Sequence, residues 1–226
     1  MNRIFIVDDH PMLREGLTHL IRRHEDFEIC GEVGTAAEAL DAIPALTPDL
    51  VLMDLTLPDK NGLELIKDLR SLCPKVAILV LSMHDEMLYA ERVIRAGGRG
   101  YIMKESAAHV LVDAMRKILD GGIFLSDQAS AHILGALSRS RDSKPRSRLE
   151  RLTDREFEVF ELVGHGKSAH EIAEQLHISP RTVDAHRAHI REKLGLPDSP
   201  ALMRYAVRWV ESGEELRAEP ETGQSP

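Results

Sequence analysis

Cysteine and aromatic residues are scarce in this chain: two cysteines, one tryptophan, three tyrosines and five phenylalanines among 226 residues. Cys30 and Cys73 sit in or beside apolar runs and lack metal-ligand spacing. A disulfide framework or zinc site is therefore not expected, and the pair reads as buried free thiols of a reducing compartment. With 4% aromatics against 43% hydrophobic residues, the cores must be mainly aliphatic. No apolar run approaches the ~20 residues of a membrane span, and the N-terminus lacks a secretory signal pattern. A soluble, cytoplasmic chain with no membrane partner is the expectation. A glycine-rich loop and a P-loop are both missing, which argues against a bound nucleotide.

Basic charge is also short overall, with a net charge of −8. That total argues against a nucleic-acid partner, but its distribution does not. Residues 1–138 carry 14 Lys+Arg against 21 Asp+Glu, residues 139–210 carry 14 against 11, and residues 211–226 carry 1 against 5. An acidic front and a mildly basic back predict two domains with different partners.

What is present in the front half is alternation. Ile4-Phe5-Ile6-Val7 reads as a buried strand, followed by helical spacing of Met12, Leu13, Leu17, Leu20 and Ile21. Strands are predicted again at Phe27–Val33, Leu50–Met53, Val76–Leu81 and Tyr101–Met103. Helices fall between them, one opened by a Thr35-to-Glu38 capping box and another stopped by Gly97-Gly98. Five such units with near-continuous apolar strands describe an α/β fold, a doubly wound five-stranded parallel sheet with helices on both faces. Ligands of such sheets gather at the carboxyl ends of the strands. Here those ends carry Asp8-Asp9, Asp54, Ser82 and Lys104.

Three converging carboxylates repel, at about 4 kcal/mol per pair near 4 Å and an effective dielectric of 20. A hard divalent cation removes that cost, and Mg²⁺ favours one or two carboxylates with waters and a phosphate. Lys104 offers a point charge for a phosphoryl oxygen, and Ser82 a hydroxyl donor. The chemistry that fits is a carboxylate nucleophile accepting a phosphoryl group with Mg²⁺ present.

Four segments, IFIVDDHP, VLMDLTLPDKNG, ILVLSMHD and GGRGYIMKE, make residues 1–120 resemble the receiver domain of two-component response regulators, whose sheet is flavodoxin-like. The resemblance implies that Asp54 is the phosphoacceptor and a sensor histidine kinase the donor. It implies that Asp9 binds Mg²⁺ directly, Asp8 largely through water, and Thr56 through its backbone carbonyl. Ser82 and Lys104 would bind phosphoryl oxygens, and Tyr101 would change rotamer when Ser82 moves.

Gly121-Gly122 breaks the last helix of the front half, and residues 121–150 read as a linker, only weakly helical over 129–137. Order returns with capping boxes at Thr153/Glu156 and Ser168/Glu171, and Leu152 and Phe157 are placed as a hydrophobic staple. A turn at His177–Ser179 leads into a helix begun by Pro180 and stopped at Gly195, a small all-α helix-turn-helix domain over 151–211. The stretch from Leu152 to Leu196, above all ISPRTVDAHRAHIREKLG, resembles the LuxR-type DNA-binding domain. Together the halves resemble a NarL/FixJ-type transcriptional regulator. That implies promoter DNA, a homodimer on DNA and RNA polymerase as partners.

At 100° per residue, Val183, Ile190 and Leu194 face the core, while Arg181, Asp184, Ala185 and Ala188 lie opposite, toward a DNA groove. Lys167, Thr182, His189, Arg191 and Lys193 flank that face as phosphate contacts. Alanines can meet thymine methyls but form no bidentate bonds. Asp184 either accepts from a cytosine amino group or stabilises the helix N-terminus. The five histidines between 165 and 189 have no zinc-like spacing. Trp209 either packs on its own domain or helps form a dimer, and residues 212–226 have the acidic composition of a disordered tail. Two other readings compete: a Mg²⁺-dependent phosphohydrolase on the same sheet, and a DNA-binding regulator indifferent to phosphorylation. Short strand-end loops count against the first; Asp54, Ser82 and Lys104 together count against the second.

Overall fold

The computed structural model describes residues 1–138 and 148–212, divided into two compact units at Arg139/Ser140. The basic stretch 139–147 and the tail 213–226 lie outside the described residues. Among the described residues no helix is long and apolar enough to cross a membrane.

The first unit alternates β1 (Asn2–Val7), α1 (Pro11–Ile21), β2 (Phe27–Val33), α2 (Ala36–Leu46), β3 (Leu50–Met53), α3 (Gly62–Leu72), β4 (Ala77–Ser82), α4 (Glu86–Ala96), β5 (Gly100–Met103) and α5 (Ala108–Leu119). All pairings are parallel, in the order β2-β1-β3-β4-β5. The order reverses between β1 and β3, which opens a crevice at their carboxyl ends. Ile4, Ile6, Leu50, Leu52, Leu79, Leu81 and Ile102 are buried against α1 and α5 residues such as Leu17, Ile21, Leu111 and Met115. The strands are buried because crossover helices cover both faces.

Local chemistry sets most boundaries. Asn61 and Asp85 cap α3 and α4, and Gly97 ends α4 in a left-handed conformation at φ 108°. Thr35 caps α2 as expected, but Glu38 turns its carboxylate to Gly34 N–H and the Thr35 hydroxyl rather than completing a capping box. Asp59 supplies the rest, accepting from the backbone N–H groups of Ala36 and Ala37 at 2.8 Å each. The cysteines are free but only half-buried. Cys30 lies on the edge strand β2 at a register shift against β1, and Cys73 ends α3.

The expected linker is corrected at its start. Residues 122–138 belong to the first unit, and the double glycine ends α5 without ending the domain. Phe124 pairs beside β5: its carbonyl accepts from Tyr101 N–H and its own N–H donates to Arg99, both at 3.0 Å. This covers the open edge of the sheet. A further helix, α6 (Asp127–Ser138), then packs on α4, and Ser126 N–H donates to Glu86. A single bridging residue is too short to read as a strand.

The described part of the second unit opens on a 3-10 turn at Arg148–Arg151 and holds α7 (Asp154–Gly164), α8 (Ala169–Gln175), α9 (Pro180–Leu194) and α10 (Ser199–Ser212). Both expected capping boxes form, and Ser179 caps α9 with Pro180 at its first position. The turn between α8 and α9 is sharp because His177 takes a left-handed φ of 52°. Trp209 packs within its own unit: its ring meets Phe157 and Phe160 edge-on, 5.4 Å away in each case. Gly164 allows this approach, since a Cβ there would stand 2.7 Å from the Ala206 carbonyl oxygen of α10.

Phe160 is fully buried in this aromatic cluster. Phe160→Ala should therefore cost the second unit about 3–5 kcal/mol. Urea unfolding followed by fluorescence of Trp209, the lone tryptophan, checks it through a lower midpoint.

Candidate functional site

The crevice collects the strand ends. Asp8 and Asp9 follow β1, Asp54 follows β3, Ser82 closes β4 and Lys104 follows β5. Ladder bonds carry this register past the strands: Asp8 N–H donates to Val33, Asp54 N–H to Val7, and Lys104 N–H to Ser82. Lys104 reaches across, with Nζ 2.7 Å from Asp8 Oδ2 and 2.7 Å from Asp54 Oδ2. All three side chains are nearly withdrawn from solvent.

One ammonium serves two buried carboxylates, and the titration directions reflect it. Burial pushes the Asp54 carboxyl above its usual range, against the pull of Lys104 and with the push of Asp8. Burial alone would depress the Lys104 ammonium, but Asp54 and Asp8 outweigh it and hold it above its usual value. The pocket thus keeps Lys104 charged while remaining short of positive charge.

Asp9 adds a third carboxylate, and its Oδ1 is a buried oxygen with no hydrogen-bond partner. Donor atoms of Asp8, Asp9, His10 and Asp54 all lie within 4.8 Å of one another. A buried carboxylate oxygen that accepts no hydrogen bond, in such a set, suits a divalent cation.

The loop after β3 is held by close backbone packing. Thr56 and Asn61 form a bridge, and a Cβ on Gly62 would meet Leu55 Cα at 2.6 Å and Asp54 O at 2.8 Å. The Thr56 hydroxyl lies 3.1 Å from His84 Nε2. His84 also donates its N–H to Ser82 Oγ at 3.3 Å and accepts from the Tyr101 hydroxyl at 2.8 Å. Tyr101 is buried, turned in against the loop after β4.

In the second unit, α9 buries Val183, Ile190 and Leu194, while Arg181, Asp184, Ala185 and Ala188 are exposed. Thr182 and His189 are exposed too, and Lys167 is half-buried. The Thr182 hydroxyl is already engaged with Ser179 Oγ at 2.8 Å.

The comparisons agree with both halves. Residues 4–116 match the family "Response regulator receiver domain", and residues 150–206 match "Bacterial regulatory proteins, luxR family". The transcriptional regulatory protein DegU of Brevibacillus brevis is 30% identical over 92% of this chain and 94% of its own length. A LuxR-family two-component response regulator from an Aurantimonas species matches 61% of this chain and 99% of its own, at 36% identity and a TM-score of 0.57. RcsB of Salmonella enterica, solved on promoter DNA with a phosphomimetic, shares the fold over 91% of this chain and 98% of its own, at a TM-score of 0.60 and 24% identity. This chain is a response regulator of the NarL/FixJ type. It is a DNA-binding regulator with a receiver in front.

In this response regulator the strand-end carboxylates and Lys104 come together, and Ser82 and Tyr101 each hydrogen-bond the His84 backbone. Two participants went unread in the sequence: His10, whose Nδ1 turns into the acid cluster, and His84, which ties Thr56, Ser82 and Tyr101 together. The imidazole directly after Asp-Asp in DDHP was the available signal for the first. Nothing local signals the second.

One expected DNA contact also has a partner inside its own unit. Lys193, partly exposed, lies 2.6 Å from the nearly buried Glu156 Oε2. Helical periodicity placed it on the flank of α9 but could not show that α7 supplies a carboxylate there. Burial pushes the Glu156 carboxyl up, but the Lys193 ammonium and the Thr153 N–H and hydroxyl outweigh it and hold it below the usual range. Such a group stabilises the fold above its unfolded pKa of about 4.3 and loses that contribution as pH falls through the lower folded value. Lys193→Ala should cost this unit about 1–2 kcal/mol at neutral pH, discounted for the partly exposed lysine. It should also shift acid unfolding to higher pH. Circular dichroism against urea and against pH tests both.

Proposed function

We propose that this response regulator is switched by phosphorylation of Asp54 from a sensor histidine kinase, and that the switch controls binding of α9 to promoter DNA. The observation that supports it most is the charge pattern of the crevice: Lys104 bridges Asp8 and Asp54 beside an Asp9 oxygen that accepts no hydrogen bond. Asp54 Oδ attacks the phosphorus of a phosphohistidine or small phosphodonor; the O–P bond forms as the N–P or donor O–P bond breaks. A leaving imidazole takes up a proton. Lys104 transfers its contact from the carboxylates to the phosphoryl oxygens, and the Ser82 hydroxyl donates to another.

Asp9, Asp54 and the Thr56 carbonyl would hold Mg²⁺ directly, with Asp8 acting largely through water. Bound Mg²⁺ supplies the positive charge that lets carboxylates and phosphoryl oxygens crowd together. The pocket catalyses only its own phosphorylation and hydrolysis. Drawing Ser82 toward the phosphoryl group pulls on the His84 N–H, and the Tyr101 hydroxyl bond to His84 carries the change toward α4.

On DNA, α9 is about 22 Å long at 1.5 Å per residue and reads only a few base pairs. Arg181 supplies the strong donor, Ala185 and Ala188 the thymine-methyl contacts, Asp184 a cytosine contact, and Lys167, Thr182 and His189 the phosphate contacts. Weak net charge makes a homodimer on half-sites about 10 base pairs apart the binding form, as expected for a two-fold site. RNA polymerase is the further partner at the promoter, in the cytoplasm.

Labelling from a small phosphodonor tests the switch: wild type should gain a hydroxylamine-labile acyl phosphate and Asp54→Asn none. Persistent stoichiometric labelling of Asp54→Asn would overturn the assignment. Mg²⁺ at a hundredfold its Kd should raise stability by about 2.7 kcal/mol, read as a higher melting temperature, and Asp9→Ala should abolish that gain. Arg181→Ala should alter sequence preference in a selection from random duplexes while leaving the melting temperature unchanged.

A further inference from the structure

His10 stands in the acid cluster but outside the phosphoryl-transfer steps. It occupies the N-cap position of α1, with φ −89° and ψ 103°, but its side chain makes no capping hydrogen bond. Its ring turns back over the crevice instead. Nδ1 stands 3.2 Å from Asp8 Oδ1 and 2.6 Å from Asp9 Oδ1. The first is a hydrogen bond; the second is an ion-pair contact in which Asp9 Oδ1, a buried oxygen, accepts no hydrogen bond.

Two neighbouring ligands of an octahedral ion, each about 2.1 Å from it, stand about 3 Å apart. The spacings from His10 Nδ1 to the two carboxylates bracket that separation. The backbone holds the ring ready: His10 N–H donates to Asp8 Oδ1 at 2.8 Å, and Pro11 begins the helix directly after it. The side chain is 67% exposed, so Nε2 can remain hydrated while Nδ1 points inward.

We propose that His10 Nδ1 is a ligand of the divalent ion held by Asp9 and Asp54, and that it tilts the pocket toward nitrogen-accepting first-row ions. The proposal rests on the reading of this crevice as the receiver's metal site. Mg²⁺ takes oxygen ligands and keeps its waters, so an imidazole adds little to its binding. Affinity for nitrogen sites climbs from Mn²⁺ through Co²⁺ to Ni²⁺, so the same imidazole adds most for the later ions.

The test uses the full chain, with Mg²⁺, Mn²⁺ and Co²⁺ as probes. Wild type, His10→Ala, His10→Asn and Asp9→Ala are compared by calorimetric titration and by pulsed electron paramagnetic resonance of bound Mn²⁺. Asn is a good N-cap residue, so His10→Asn guards against loss of α1. Both His10 variants should weaken Co²⁺ by about tenfold or more while changing Mg²⁺ less than about threefold. A directly bonded nitrogen signal on Mn²⁺ should be present in wild type and absent from both. Equal weakening of Mg²⁺ and Co²⁺, no change in either, or tighter binding of both would overturn the proposal; tighter binding would make His10 a competitor of the ion. Asp9→Ala separates the two layers. If it keeps Mg²⁺ affinity, the metal-site reading itself fails; if it loses Mg²⁺ while His10→Ala keeps Co²⁺ affinity, only the role of His10 fails.

Discussion

The receiver depends on a shortage of positive charge at one end of its sheet. Lys104 is the one buried ammonium between Asp8 and Asp54, and Asp9 adds a carboxylate whose Oδ1 has no hydrogen-bond donor. An apolar sheet tolerates such a cluster only where the strands end and water or a cation can enter. The topology places it there. β1 and β3 are neighbours although they are not consecutive, so their carboxyl ends meet at the point where the strand order reverses. A crevice short of positive charge at that point suits a cation.

The surrounding loops are tied to one another and to the crevice. The loop after β3 packs so closely that Gly62 leaves no room for a Cβ against Leu55 and Asp54. Asp59 from the same loop ties down the first turn of α2. Across the crevice His84 touches Thr56, Ser82 and Tyr101, and the edge strand carrying Tyr101 is paired with Phe124 ahead of α6. From Ser82, contacts run through His84 and Tyr101 to Phe124, just ahead of α6.

The helix-turn-helix unit solves a different problem, that of a small core with few aromatic residues. It concentrates Phe157, Phe160, Tyr205 and Trp209 between α7 and α10. It ends its helices with explicit caps, and Glu156 does double duty as capping partner and as counter-ion to Lys193. This leaves the outer face of α9, with Arg181, Asp184, Ala185 and Ala188, exposed and without core duties.

Much of this was legible in the residues alone. Strands announce themselves by apolar runs that both faces bury, and helix ends by side chains that satisfy their own neighbours' N–H groups. Hence the βα alternation, the caps at Thr153, Ser168 and Ser179, the buried stripe of Val183, Ile190 and Leu194, and the strand-end carboxylates could be read directly. These are short-range signals carried within a few residues. What needed the tertiary structure was every partnership across long separations. The Lys193–Glu156 pair, the pairing of Phe124 with β5, the contact of His84 with Thr56 and the turn of His10 into the pocket depend on which surfaces the packed elements bring together. Periodicity gives a side chain its direction from one helix or strand; only packing decides what it meets.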